Sequence, residues 1–110
     1  MCVINMDACI TYWNKSAERL YGWTASEAVG KVAPDLLFKD EGDRPSQAFK
    51  TLIENRTWEG EFHQITKSGG QIVVHSRWTL MHDLKGAPKS ILVINTDITG
   101  KRKQPRMNTD

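Results

Sequence analysis

The sequence predicts an α+β domain: a five-stranded antiparallel sheet with short helices on one face. Three observations lead there. Two short β-rich runs open the chain and three longer ones close it. The helix-forming stretches all fall between the second and third of these runs, so strands and helices are segregated rather than alternating. The chain has 110 residues, 39% of them apolar, which suits a single domain with one core and no covalent staples.

Cys2-Val3-Ile4 reads as the first strand, Met6-Asp7-Ala8 as a turn, and Ile10-Thr11-Tyr12-Trp13 as a second strand rich in β-branched and aromatic residues. Asn14 offers a side-chain oxygen to the free N–H groups of a helix whose apolar face is Ala17, Leu20 and Tyr21. Gly22 stops that helix. Thr24-Ala25-Ser26-Glu27 is a capping box opening a short turn that Gly30 ends. Val32 to Phe38 is apolar and broken by Pro34, which suits one irregular helical turn. Asp40-Glu41-Gly42-Asp43 is a polar loop. A longer helix starts near Pro45, with Ala48, Phe49, Leu52 and Ile53 as its apolar stripe and Asn55 as its end. Trp58 to Thr66 and Gln71 to Met81 are two long strands joined through Lys67-Ser68-Gly69-Gly70. With a three-residue loop, Phe62, Ile72, Val74, Trp78 and Leu80 share a face, Glu61 lies opposite Arg77 and His63 opposite His75; a two- or four-residue loop shifts that register. After the Asp83-Leu84-Lys85-Gly86 turn, Ile91 to Asn95 is a fifth strand, apolar on both faces and therefore central, with Pro88 at its mouth.

Charge and composition exclude several classes. The net charge is +2, from 15 basic and 13 acidic residues, which leaves no electrostatic footprint for nucleic acid. The basic run Lys101-Arg102-Lys103 with Arg106 reads as a solvated linker. No run of 18 apolar residues is present and the N-terminus lacks the layout of a secretion signal, so no membrane contact is expected. Cys2 and Cys9 have no CxxC spacing, and a reduced, cytoplasmic setting fits them as small apolar residues. Catalysis has no carrier: there is no GxSxG elbow, P-loop or GxGxxG. His63 and His75 offer two ligands where a structural zinc takes four, so no metal is expected. The four tryptophans, at 13, 23, 58 and 78, lack the basic groove that base stacking needs, and read as core or interface residues.

An ordered set of motifs carries a family resemblance. Ile10-Thr11-Tyr12-Trp13-Asn14, Ala17-Glu18-Arg19-Leu20-Tyr21-Gly22-Trp23, Glu27 and Gly30-Lys31 resemble the front half of a PAS domain. Trp58-Glu59-Gly60-Glu61, Lys67-Ser68-Gly69 and Asp97-Ile98-Thr99 resemble its back half. The resemblance implies a PAS fold with strand order 2-1-5-4-3 and helices enclosing a small pocket. It implies a sensory or adaptor module over residues 1–100, with residues 101–110 starting a C-terminal linker. It places Asp97 and Thr99 at the signal-relay junction to an outgoing helix, where a carboxylate and a hydroxyl can cap the helix start. It pairs Glu27 with Lys67 in a structural salt bridge, and Glu27 is also the capping-box acid, so two roles draw on one carboxylate. Gly100 stands where glutamate is usual, costing a helix about 1 kcal/mol against alanine. Pro105 disfavours a helical Gln104, so the exit helix is expected to be weak. The chain begins directly at the first strand, which reads as a segment excised from a longer protein.

Cofactor expectations follow from the same resemblance. Haem-binding relatives generally place a histidine on the long helix; none lies between Pro45 and Asn55, so haem is disfavoured. The segment Lys31-Val32-Ala33-Pro34-Asp35-Leu36-Leu37 has no cysteine, so a covalent flavin adduct is disfavoured too. The cofactor is otherwise unknown. Leu37, Phe49, Leu52, Ile53, Phe62, Val74 and Trp78 are the candidate pocket for a small-molecule ligand; the same residues serve equally as core filler. The expected role is the input domain of a bacterial sensor histidine kinase, relaying binding to a fused output domain. The alternatives are a ligand-independent dimerisation module, or the input domain of a cyclic-di-nucleotide enzyme or transcription regulator. A homodimer would use an outer sheet face carrying Ile65, Val73 and Met81.

Overall fold

The computed structural model describes residues 1–38 and 40–100. Five strands, β1 (Cys2–Asn5), β2 (Ile10–Trp13), β3 (Thr57–Ile65), β4 (Gln71–His82) and β5 (Pro88–Asp97), form one sheet in the order β2-β1-β5-β4-β3. Every neighbouring pair is antiparallel, and β5 is central, as its two-sided apolar character requires. The helices α1 (Lys15–Tyr21), α2 (Ala25–Ala28), α3 (Ala33–Leu37) and α4 (Arg44–Asn55) all lie between β2 and β3 in sequence. The linker expected over residues 101–110, including the exit helix beyond Gly100, lies outside the described residues.

Local chemistry sets the helix ends. Asn14 Oδ1 accepts from the Ala17 amide at 2.9 Å to start α1. Gly22 ends it in the left-handed region at φ +83°. The capping box at α2 is complete: Thr24 Oγ1 accepts from the Glu27 amide, and Glu27 Oε1 from the Thr24 amide. Helix α4 ends at Asn55, as expected, and the residue after it, Arg56, takes the left-handed conformation at φ +70°. There its N–H still bonds Leu52 O, and its carbonyl accepts from the Leu80 amide at 2.9 Å, tying the helix exit to β4.

The β3–β4 register also corrects the expectation. Ile65 pairs with Gln71, so five residues, Thr66 to Gly70, form the connection. Thr66 closes it by bonding Gly70 O at 2.8 Å and accepting from Gly69 at 2.9 Å. Glu59 therefore faces Arg77, Glu61 faces His75 and His63 faces Val73, in place of the expected Glu61–Arg77 and His63–His75 pairs. Because the slip is two residues, the faces are unchanged. Phe62, Val74, Trp78 and Leu80 are buried on the helix side, joined there by Tyr21, Ile10, Leu52 and Ile91 in one core.

Candidate functional site

A cavity of about 410 Å³ lies between the sheet and the helices, within the size range of small-molecule sites. Strand β1 contributes Cys2 and Ile4, and the following turn Met6, Asp7 and Ala8. The helical wall is Ala33, Pro34 and Leu37 of α3, Phe38, and Pro45, Ser46, Phe49 and Lys50 of α4. Gln64, Ser76, Trp78, Val93 and Asn95 complete it from β3, β4 and β5. Of the wall residues, Asp7, Ser46 and Lys50 are solvent-exposed and form the rim.

The candidate pocket residues divide. Leu37, Phe49 and Trp78 line the cavity. Leu52, Phe62 and Val74 are fully buried but sit behind it, in the core. Ile53 is 41% exposed and does not line it. The reason is the roll of α4, which turns Ala48 and Leu52 inward and leaves Ile53 at the trailing edge of its stripe. His63, His75 and His82 lie on β3 and β4, and none lines the cavity.

Sequence reasoning missed the polar end of the cavity. Gln64 and Ser76 are 2% and 1% exposed, and Asn95 stands directly opposite Ser76 on β5. Tyr21, at the end of α1 and 2% exposed, joins the two amides. Its hydroxyl donates to Gln64 Oε1 and accepts from Asn95 Nδ2 at 2.8 Å. Trp78 Nε1 donates to Ser76 Oγ at 2.8 Å. Asn95 Oδ1 is buried with no hydrogen-bond partner among the described residues. Burial pushes the Tyr21 phenol far above its usual range and the Cys2 thiol up to about 11, so both stay neutral. A redox-sensing thiol needs the opposite shift. A parity reading could have flagged these groups, because Gln64 shares the face of Phe62, and Ser76 that of Val74 and Trp78.

The junction after β5 is anchored to β4. Asp97 Oδ1 accepts from the Thr99 amide at 2.9 Å and from its hydroxyl at 2.7 Å. Thr99 Oγ1 accepts from the Val73 amide at 2.9 Å, while the Ile98 amide donates to Val73 O at 2.9 Å. Asn95 of the cavity is two residues upstream of Asp97 on the same strand. In the β3–β4 loop, whose Lys67 amide donates to Tyr21 O at 2.8 Å, Lys67 Nζ meets Glu27 Oε2 at 2.7 Å. The cap uses Oε1, so the two roles occupy different oxygens and do not compete. The lysine hydrogen bond, with help from the Thr24 amide, holds the Glu27 carboxyl below its usual range.

Ile65, Val73 and Met81 are half-buried on the outer face, and each lies opposite a polar residue: Gln71, His63 and Ser90 respectively. They do not form a continuous apolar patch. A more continuous apolar row runs Tyr12, Val3, Leu92 across β2, β1 and β5, with Ile94 beside it; Tyr12 and Ile94 are 49% and 43% exposed. Among the described residues no group of three or more potential metal ligands is assembled, and no helix is long and apolar enough to cross a membrane.

Comparison with known proteins agrees with this architecture. A family model described as PAS fold matches residues 1–98. The probable diguanylate cyclase DgcE of Escherichia coli (strain K12) is 29% identical over 106 residues, covering 94% of this chain and 10% of that protein. Among solved structures, the PAS domain of a Colwellia psychrerythraea protein superposes with a TM-score of 0.82 at 26% identity, covering 90% of this chain and 85% of that one. A PAS domain from a two-component sensor histidine kinase gives 0.73 at 11% identity, covering 87% and 81%, a likeness of fold.

Proposed function

This chain belongs to the PAS-fold family, and from that premise we propose that it is the cytoplasmic input module of a bacterial signalling protein, binding a small molecule in the cavity beneath α3 and α4. The observation that carries this reading is the cavity's construction. Its wall is mostly apolar, and three adjacent strands bring Gln64, Ser76 and Asn95 together at one end. Dedicated ligand sites combine these two features, whereas a simple core has no use for a polar end of this kind.

Signal relay follows the central strand. A ligand that engages Asn95 favours one arrangement of β5, and that preference reaches Asp97 and through it Thr99, which together with Ile98 bonds Val73 and fixes the strand's exit. The domain itself performs no catalysis; the fused output unit does. The 29% identity to a probable diguanylate cyclase over 94% of the chain favours a cyclic-di-nucleotide enzyme as the parent over a histidine kinase, whose likeness is one of fold. The chain spans only a tenth of that relative, so the coding sequence flanking this domain tests the assignment directly.

Native mass spectrometry of the freshly purified domain tests the ligand reading. The expected result is a retained adduct that is lost on denaturation and absent from Ser46→Trp, which blocks the mouth from an exposed position. A bare mass throughout, with no small molecule able to shift cavity resonances, contradicts it. The exposed Tyr12–Ile94 row supports a second role, self-association through the outer sheet face. Sedimentation then shows a dimer that Ile94→Lys dissociates; a monomer at high concentration removes this role.

A further inference from the structure

Resting on the reading of the cavity as a ligand site, we infer that Glu41 and Arg44 form a clasp holding the first turn of α4 against β3, and that opening of this clasp sets the rate at which a ligand enters and leaves. Burial does little to tether that turn. Helix α4 buries Ala48 and Leu52, which both follow its first turn, residues 44–47; there Arg44, Ser46 and Gln47 are exposed and Pro45 is half-buried. Asp43, at the N-cap, makes no side-chain cap bond. Two charged side chains do the holding. Arg44 Nη2 donates to the Glu61 carbonyl of β3 at 2.7 Å, and its guanidinium lies 5.2 Å from the centre of the Phe62 ring. Glu41, whose side chain is only 6% exposed, accepts from Arg44 Nη1 and from the His63 amide of β3, both at 2.9 Å. The His63 ring lies 3.6 Å from its other oxygen. One acceptor and one donor thus meet an N–H and a C=O of the edge strand, and Gly42, left-handed at φ +59°, makes the bend between them.

The turn so held is part of the cavity mouth. Pro45 and Ser46 line the cavity, and Phe49 lines it one turn further along α4. Glu41 and Arg44 line no part of it, so a bound molecule gains nothing from them directly. Their bonds to β3 exist only while the turn is closed. Without them the turn swings out more readily, while the closed state keeps every contact it makes with a ligand. Entry and exit both pass through the open state, so both rates scale with its population and the affinity does not. A turn with exposed residues and little buried apolar surface is where local opening costs least. Charge-assisted bonds to a carboxylate shielded from water are what keep it shut.

The test follows exchange of naphthalene with the isotope-labelled chain, through the line shapes of the Leu37 methyl signals in the cavity wall. Glu41→Gln should speed association and dissociation together, each about tenfold, and hold the affinity within about twofold, as expected when one charge-assisted bond is lost from the closed state alone. Arg44→Met should do the same and serves if Glu41→Gln does not fold. Glu54→Gln, which removes the same charge from an exposed position near the other end of α4, should leave both rates within about twofold. The unaltered chain gives a reading without any probe. The His63 amide should exchange with solvent by local opening, almost independently of low urea, while that of the fully buried Val74 quickens steeply with it. Unchanged rates in both clasp variants, or a tenfold weaker affinity with association unchanged, overturn the clasp and leave the cavity reading standing. A His63 amide as urea-dependent as that of Val74 overturns the clasp as well. If naphthalene shifts no cavity signal in any form of the chain, the cavity reading falls and this inference with it.

Discussion

Replacing Tyr21 with phenylalanine isolates the polar network with little change in shape. The ring stays packed 5.4 Å from Trp13, but two side-chain hydrogen bonds vanish, one given to Gln64 and one received from Asn95. Each net bond is worth about 0.5–1.5 kcal/mol, and the abandoned Gln64 oxygen adds its own desolvation penalty, so the expected loss is about 2–3 kcal/mol. With a urea dependence of about 2 kcal/mol per molar for a domain of this size, the unfolding midpoint should fall by about 1–1.5 M. The control is Tyr12→Phe on the outer face, 49% exposed, which should stay within about 0.5 kcal/mol of the parent. Urea unfolding followed by tryptophan fluorescence reads both. A Tyr21→Phe midpoint within about 0.3 M of the parent would refute the claim that this network is buried and bonded as described.

Two further outcomes follow from the same packing. Stability should fall in alkali: Cys2 rises from 9.0 to about 11 on burial, and Tyr21 rises above its usual range, so each favours the fold fully below its unfolded value. That contribution is lost as pH climbs from about 9 towards 11, the Cys2 share being about 2–3 kcal/mol. Urea midpoints at pH 8 and 10.5 measure it, and Cys2→Val should flatten its part of the slope. Gly60→Ala should cost about 1–3 kcal/mol, because the new methyl group would sit 2.6 Å from Trp58 Cζ2. The Trp58 indole must then leave Phe62 and Trp78, now 5.0 and 4.9 Å away, and an unaltered near-ultraviolet circular dichroism spectrum would count against this.

Local chemistry was legible in the sequence where one residue decides the outcome. Asn14, Gly22 and the Thr24–Glu27 box each act within one turn, and each caps as expected. The faces of β4 were legible because alternation is a property of the strand alone, and Val74, Trp78 and Leu80 are inside. Register was not, since it depends on how Thr66 and Gly70 close their loop, a choice made by backbone bonds that residue types do not announce. Ile53 shows the same limit for helices: a stripe gives a face, while the neighbours of α4 decide which edge of it is covered. The polar end was hidden for a different reason. Gln64, Ser76, Asn95 and Tyr21 are polar residues at inward positions, and their meaning appears only when three strands and a helix end bring them together.

The central claim is that the cavity and the β5 exit form one mechanical unit, and amide hydrogen exchange tests it most directly. With the small molecule that native mass spectrometry finds retained bound at saturation, the amides of Val73 and Ile98, which hold the junction, should slow together with those around Gln64 and Asn95. Protection confined to the cavity wall, with Val73 and Ile98 exchanging as in the empty domain, would contradict it.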